Sequence, residues 1–297
     1  MSEIIKIKIN DIDTFKNHPF LVNKDESLTE LAQSIKENGL LNPLVVRIKK
    51  NGRYEMISGH RRKAALEIAG IVEADAIVQD LNDDEATIYM VDSNMYREKI
   101  LPSEKAFAYK MKFDAIKHQG KSSSDPQGPK LSSEVVGKKL GDSATSVKRY
   151  IRLTYLIPEL LELVDNTVKY DKRTFLTMGI KPAVELSYLN KDEQNLVYAS
   201  ITYEDLTPSH AQTIQIRELS KKKMLNYNSL EKILTQNKGN QNEQISFNKR
   251  NIESVLPHDL LKRDKRYIEE YIINAIIKYN ELKKAEVYNI DIDKLNI

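Results

Sequence analysis

Residues 57–66 read ISGHRRKAAL. A strand-forming run ends at Ser58, a glycine follows, and apolar residues then recur at helical spacing. Adjacent arginines, Arg61 and Arg62, fall where that helix begins. The first backbone N–H groups of a helix lack intrahelical partners and make that end positive. Cations placed there are locally unfavourable unless an anion arrives, so the stretch predicts a phosphate site at a strand–glycine–helix junction.

Outward from this junction the chain alternates strand and helix. IIKIKI (4–9) alternates apolar and basic residues, the pattern of a half-buried strand. ESLTELAQSIKENG (26–39) places Leu28, Leu31, Ala32 and Ile35 at helical spacing, with Gly39 as the stop. PLVVRIKK (43–50) and RYEMIS (53–58) flank an Asn-Gly turn and predict a hairpin over 44–58. Short elements follow: a helix over 61–70, a strand over 73–78, and helices over 83–94 and 102–120. KSSSDPQGPK (121–130) is rich in Ser, Pro and Gly and reads as a boundary or loop. From 131 to about 227 the pattern is helical, NKGNQNEQ (237–244) is a second linker, and 265–285 is amphipathic. Its apolar face carries Tyr267, Ile268, Tyr271, Ile272, Ala275, Ile276 and Tyr279.

Composition narrows the chemistry. The 297 residues contain no cysteine, which excludes disulfides, thiolate metal sites and cysteine nucleophiles. No apolar run approaches the roughly 20 residues that span a bilayer, and MSEIIKIKINDID does not read as a signal peptide, so a cytoplasmic protein with no membrane partner is expected. His18, His118, His210 and His258 are scattered without metal-ligand spacing. Ser34, Ser58 and Ser103 have no His–Asp partners in the pattern of a hydrolytic triad.

Residues 133–153, SEVVGKKLGDSATSVKRYIRL, fit a helix-turn-helix. Such a unit needs a small residue inside its first helix, often a glycine in its turn, and an aliphatic residue in its second helix facing the first. Gly137, Gly141 and Val147 fill these roles, flanked by Val136, Leu140 and Tyr150, with Asp142 or Ser143 as cap of the second helix. The exposed residues are then expected to be Ser143, Thr145, Ser146, Lys148, Arg149 and Arg152, with Lys138 and Lys139 on the first helix, types that touch bases and phosphates. Between 121 and 152 seven basic residues stand against three acidic ones, a larger excess than the +3 of the whole chain. An ordinary helical hairpin with a solvated basic face is the alternative.

Three stretches precede this unit in order: SIKENGLLNPLVVR (34–47), YEMISGHRRKAALEIAG (54–70) and SNMYREKILPSEKAFAY (93–109). With the basic unit downstream, residues 4–160 resemble the ParB/Spo0J family of partition proteins, most closely those of plasmids and integrative elements. The resemblance implies an α+β, ParB/sulfiredoxin-like N-terminal domain over 1–100. An all-α DNA-binding domain would cover 101–228, and a small helical C-terminal region over 245–297 would dimerise. It also implies CTP bound with Mg²⁺ as the switch of a DNA clamp, loaded at a palindromic centromere-like site, and a nucleoid- or plasmid-associated homodimer. A ParA-type ATPase is a further partner expected from the family.

Carried over by motif, the nucleotide would meet Asn42, Pro43, Leu44, Val45 and Val46, then Ser58, Gly59, His60, Arg61 and Arg62. Asn94 would reach the metal or phosphates, and Arg97 the phosphates or the DNA-loading interface. This sequence departs from the family at His60, where the motif has glutamate, and at Ser93, where it has an acid. Asp92 and Glu98 are the nearby candidates for that acid, although one residue turns a helix position by about 100°. Hydrolysis of CTP to CDP and phosphate therefore stays open, as does a helix-turn-helix repressor without a clamp cycle. Sulfiredoxin chemistry itself needs a cysteine that the chain lacks.

Overall fold

The computed structural model describes residues 4–97, 99–121, 133–137, 141–170, 175–236, 255–257, 259–260 and 265–287. Residues 1–237 form one compact unit and 238–297 another.

The first unit opens on a five-stranded mixed sheet of order β1-β5-β3-β4-β2. The strands are β1 (Ile4–Lys8), β2 (Ile12–Asp13), β3 (Leu44–Ile48), β4 (Tyr54–Ser58) and β5 (Glu73–Val78). β3 and β4 form the expected antiparallel hairpin, with a register shift between Val45 and Val46. Ile9, expected to end the first strand, instead starts a 3-10 turn (Ile9–Asp11) that returns the chain as β2, parallel to β4. This two-residue edge strand is too short to give an alternating signal.

Alternation along β3 and β4 feeds a core on each face of the sheet. Leu44, Val46 and Met56 pack with Leu28, Ala32 and Ile35 of α1 (Glu26–Asn38) and with Ala65 and Leu66 of α2 (His60–Ile68). Val45 and Ile57 face Ala86, Met90 and Val91 of α3 (Asp83–Asn94), together with Phe15 and Phe20. Asn82 and Glu85 close a reciprocal capping box at the start of α3, which halts the chain after β5 and aims the helix.

The next helix, α4 (Pro102–Lys121), belongs to both halves of the unit. Ala108 joins the core beside the sheet, Ala106 joins the helical core, and Tyr109 packs with Val136 and Val147. Residues 133–137 are helical (α5) and Gly141 turns the chain with φ +72°. Helix α6 (Ala144–Leu153) follows, with Ser143 Oγ accepting from the Ser146 N–H at 3.1 Å. Of the two residues that could cap α6, Ser143 does so; Asp142 instead accepts from Tyr109 Oη and pairs with Lys105 Nζ at 2.7 Å. Helices α7 (Pro158–Lys169), α8 (Ile180–Leu186), α9 (Lys191–Glu204), α10 (His210–Lys221) and α11 (Tyr227–Leu234) enclose one core that includes Leu160, Val164, Leu186, Val197, Ile201, Ile216 and Leu230. The basic run Lys221–Lys223 is exposed at the end of α10.

The second unit contains α12 (Lys265–Val287), close to the predicted span. Tyr267, Tyr271, Ile276 and Tyr279 on its apolar face stay exposed. Lys138, Lys139, Leu140, Glu98 and the predicted linker 237–244 lie outside the described residues.

Gly137 sits where the two helices of the basic unit meet. A Cβ there would overlap the carbonyl oxygen of Asp142 and press on Val147 Cγ2 at 3.3 Å. The obstacle is backbone rather than the tip of a flexible side chain. Gly137→Ala is expected to cost about 1–3 kcal/mol of stability, the usual cost of overpacking, read by urea unfolding.

Candidate nucleotide and DNA sites

The strand–glycine–helix junction is built as the sequence predicts. Gly59 adopts φ +109°, and a Cβ there would stand 2.9 Å from Leu44 Cδ2, so only glycine lets β4 turn directly into α2. Val45 pairs with Ser58 across the sheet, which sets Asn42–Val46 alongside Ser58–Arg62. Arg62 fastens the two stretches: its Nη1 donates to the carbonyls of Asn42 (2.6 Å) and Pro43 (2.7 Å). Arg61 reaches the start of α1, where Nη2 donates to Ser27 Oγ at 2.7 Å and stands 3.7 Å from Asp25 Oδ1. Asp25 is itself the cap of α1, accepting from the Leu28 N–H and from Ser27 Oγ. The N-termini of α1 and α2 therefore share one basic corner.

Arg97 enters this corner from beyond α3. Its Nη1 donates to the Leu21 carbonyl at 3.4 Å and its guanidinium lies 5.5 Å from the Phe20 ring centre. Burial lowers the pKa of Arg62, and burial together with Arg61 lowers that of Arg97 despite the opposing pull of Glu104. Among the described residues neither arginine has a carboxylate at ion-pair distance; the partners of Arg62 are neutral carbonyls. Partly buried cations held by neutral groups leave a site that favours an anion.

His18 and His60 stack with ring centres 3.7 Å apart and planes 34° from parallel. His60 is 8% exposed. His18 Nδ1 donates to the Phe20 carbonyl at 2.8 Å, but His18 Nε2 and both ring nitrogens of His60 are buried without a protein partner. Burial depresses His18 to about 4. Burial first, then His18, Arg97 and Lys63, depress His60 to about 3. Both rings are thus neutral near pH 7, and their orphan nitrogens need water or a ligand. Forty-two residues separate these positions in sequence, and only folding reveals that the loop after β2 crosses the start of α2.

The candidates for the missing acid fare differently. Asp92 is bound to Lys112, whose side chain is 1% exposed, on the side of α3 that faces α4. One step along α3 from Ser93, it faces the neighbouring helix, where its charge compensates a buried ammonium. Ser93 Oγ donates to the Met90 carbonyl at 3.0 Å. Asn94 is buried at the end of α3, with Nδ2 donating to the Met90 carbonyl at 2.8 Å. Magnesium usually takes one or two carboxylates beside phosphate and water. Asn94 and Ser93 supply neutral groups, Asp92 is committed, and no group of three or more His, Asp or Glu suited to a metal occurs among the described residues. Among the described residues, which do not include Glu98, this donor set does not fit a magnesium site held by the protein.

On α6, Thr145, Lys148 and Arg149 are exposed at i, i+3 and i+4 and line one stripe. Ser143 is exposed but spends its hydroxyl on the cap. Ser146 is half-buried, its Oγ 3.5 Å from Asp142 Oδ1. Arg152, expected on the exposed stripe, is not there. It is half-buried against Tyr155 and Tyr188, with Nε and Nη2 donating to Ser187. Aromatic faces and a helix-end carbonyl hold the guanidinium better than solvent does.

Residues 1–95 match the family described as ParB N-terminal domain. The chain is 35% identical over 162 residues to the chromosome-partitioning protein Spo0J of Thermus thermophilus, covering 54% of this chain and 55% of that protein. It is 31% identical over 160 residues to a nucleoid occlusion protein of Geobacillus thermodenitrificans, covering 54% and 52%. The chain thus spans about half the length of these curated relatives. The crystal structure of C-terminally truncated ParB from Caulobacter crescentus, complexed to the centromeric parS site, is 18% identical, covers 73% of this chain and 99% of that one, and superposes with a TM-score of 0.40. The ParB/Spo0J resemblance read from the three motifs therefore holds, as does an α+β N-terminal domain followed by helices. Among the described residues no helix is long and apolar enough to cross a membrane.

Two measurements follow from this geometry. Asp92→Ala leaves Lys112 buried and unpaired and should cost about 3–5 kcal/mol in urea unfolding, while Asp92→Ala with Lys112→Met should recover most of it. The histidines give a pH signature. Their folded pKa values lie below the unfolded value near 6.5, so the unfolded chain takes up protons first as pH falls. Their contribution is complete above about 6.5 and is lost toward 4, by up to about 1.4 kcal/mol per pH unit for each ring. His60→Phe should flatten the dependence of unfolding free energy on pH between 7 and 5.

Proposed function

We propose that the chain is a DNA-binding partition protein of the ParB type, whose N-terminal domain binds a nucleoside triphosphate and whose α5–α6 unit binds a palindromic DNA site. The observation that carries the nucleotide half is the corner at Gly59. Arg62 and Arg97 have neutral partners, three buried imidazole nitrogens have none, and the free N–H groups of α2 open onto the same place. Phosphate oxygens answer the arginines, the free N–H groups of α2 and the one ring N–H of neutral His60; the other two imidazole nitrogens are acceptors, which water or a donor group would meet. The glycine admits the chain of phosphates close to the backbone, Arg61 and Arg62 neutralise it, and Arg97 closes it from the α3 side. Selection of cytosine among the bases rests on the family resemblance, as do a clamp cycle, a ParA-type ATPase partner and association with a nucleoid or plasmid.

For DNA, the exposed Thr145, Lys148 and Arg149 stripe would enter the major groove, with Ser143 and Ser146 at the start of α6. A palindromic site demands two-fold symmetry, and the exposed apolar face of α12 offers the seam for a homodimer. One observation favours binding without rapid turnover. Asp92 is occupied by Lys112 and Ser93 by a backbone carbonyl, so neither supplies the base that activates water. The nucleotide then acts chiefly through its binding.

Labelled CTP, competed with ATP, GTP and UTP, is expected to bind the wild-type protein selectively. Arg62→Ala should weaken binding by about tenfold or more, the scale of one charge-assisted bond to phosphate. Phosphate release in the same samples should stay near the rate without protein. Intact DNA binding with no nucleotide bound by wild type would leave a helix-turn-helix repressor without a clamp cycle.

A further inference from the structure

Four side chains beside α6 form an alternating stack: Tyr155, Arg152, Tyr188, Arg217. The Arg152 guanidinium carbon lies 4.6 Å from the Tyr155 ring centre and 3.9 Å from that of Tyr188. Arg217 covers the other face of Tyr188 at 3.7 Å. Hydrogen bonds fix both cations in the plane. Arg152 Nε donates to Ser187 Oγ at 2.9 Å and Nη2 to the Ser187 carbonyl at 2.7 Å. Arg217 Nη1 donates to Glu185 Oε2 at 2.8 Å. Ser187 closes the end of α8, so Arg152 also meets the negative end of that helix. Tyr155 extends the array: Lys110 of α4 lies 5.0 Å from its ring centre, and its carbonyl accepts from Lys191 of α9 at 2.9 Å.

This stack is not core. Tyr155 and Tyr188 are 47% and 48% exposed. It nonetheless ties the last turn of α6 to α4, α8, α9 and α10. By spacing, Arg152 continues the stripe of Thr145, Lys148 and Arg149, one turn further on. A phosphate could take the Nε–Nη2 edge of its guanidinium only by displacing Ser187.

We infer that Arg152 and Tyr188 are positioning residues, which hold α6 at the angle that lets Lys148 and Arg149 address the bases, and that Arg152 makes no DNA contact of its own. The inference rests on reading α6 as the helix that faces DNA. It separates two roles that its composition alone merges: residues of α6 that touch DNA, and one that aims the others.

The test uses the full chain and a duplex selected by the wild-type protein from a randomised library, with a scrambled duplex as reference. Affinities are measured between about 50 and 200 mM salt. Loss of a phosphate contact reduces the slope of log K against log salt by about 0.9; misaiming of the helix leaves the slope and lowers the ratio of selected to scrambled affinity. Arg152→Lys keeps the charge but loses the fork and the flat stack. Expected are a drop of about tenfold in that ratio for Arg152→Lys and Tyr188→Leu, on the scale of one good base contact, unchanged salt slopes, and wild-type behaviour for Tyr188→Phe. A wild-type ratio for Arg152→Lys and Tyr188→Leu, with a shallower slope for Arg152→Ala, would make Arg152 a phosphate contact and overturn the inference. Lys148→Ala with Arg149→Ala tests the underlying reading separately: if that pair leaves DNA binding unchanged, α6 does not face DNA and both readings fall.

Discussion

Helix α4 must satisfy neighbours on nearly every side, and the rest of the first unit is arranged around that constraint. Ala106 lies in the helical core, Ala108 in the core beside the sheet, and Tyr109 beneath α5 and α6. Methyl side chains at the first two positions let two layers approach one helix closely. The polar groups are equally committed. Lys105 pairs with Asp142 in the turn before α6, Lys112 with Asp92 of α3, and Ser103 donates to Asp165 of α7 through both its N–H and its hydroxyl. A helix so engaged is a poor hinge within its own length. The sheet and the helical bundle therefore meet through a shared beam rather than a linker.

The basic corner shows how clustered cations can be held without a bound anion. Repulsion among Arg61, Arg62 and Arg97 is eased by giving each a different anchor: Ser27 and Asp25, the Asn42 and Pro43 carbonyls, and the Leu21 carbonyl with the Phe20 ring. The anchors also order segments that carry no regular structure of their own. The neutral histidine pair adds polarity to the corner without adding charge.

Much of this architecture was legible in the residues because local signals agree with one another. The 44–58 hairpin declares itself by alternation and Asn-Gly, the α2 junction by a glycine between two patterns, and the α5–α6 turn by Gly137, Gly141 and Val147. Three features stayed hidden for separate reasons. β2 is shorter than any periodic signal. The His18–His60 stack joins residues from a loop and a helix start, whose encounter depends on the path of a segment without pattern. Arg152 obeys the helical stripe in sequence but leaves it in space, because Tyr188 and Ser187 arrive from thirty-five residues downstream. Asp92 is the converse case: its type suited catalysis, and a single helical step turned it toward Lys112 instead.

Glu104 carries one more implication. Glu104 is 7% exposed, and its carboxylate accepts from the Leu21 N–H at 2.7 Å and from the Leu101 N–H at 2.9 Å. It thus joins the loop that holds Arg97 to the first turn of the beam. The basic corner and the first turn of α4 are tied through one loop residue, Leu21, whose N–H serves Glu104 and whose carbonyl serves Arg97.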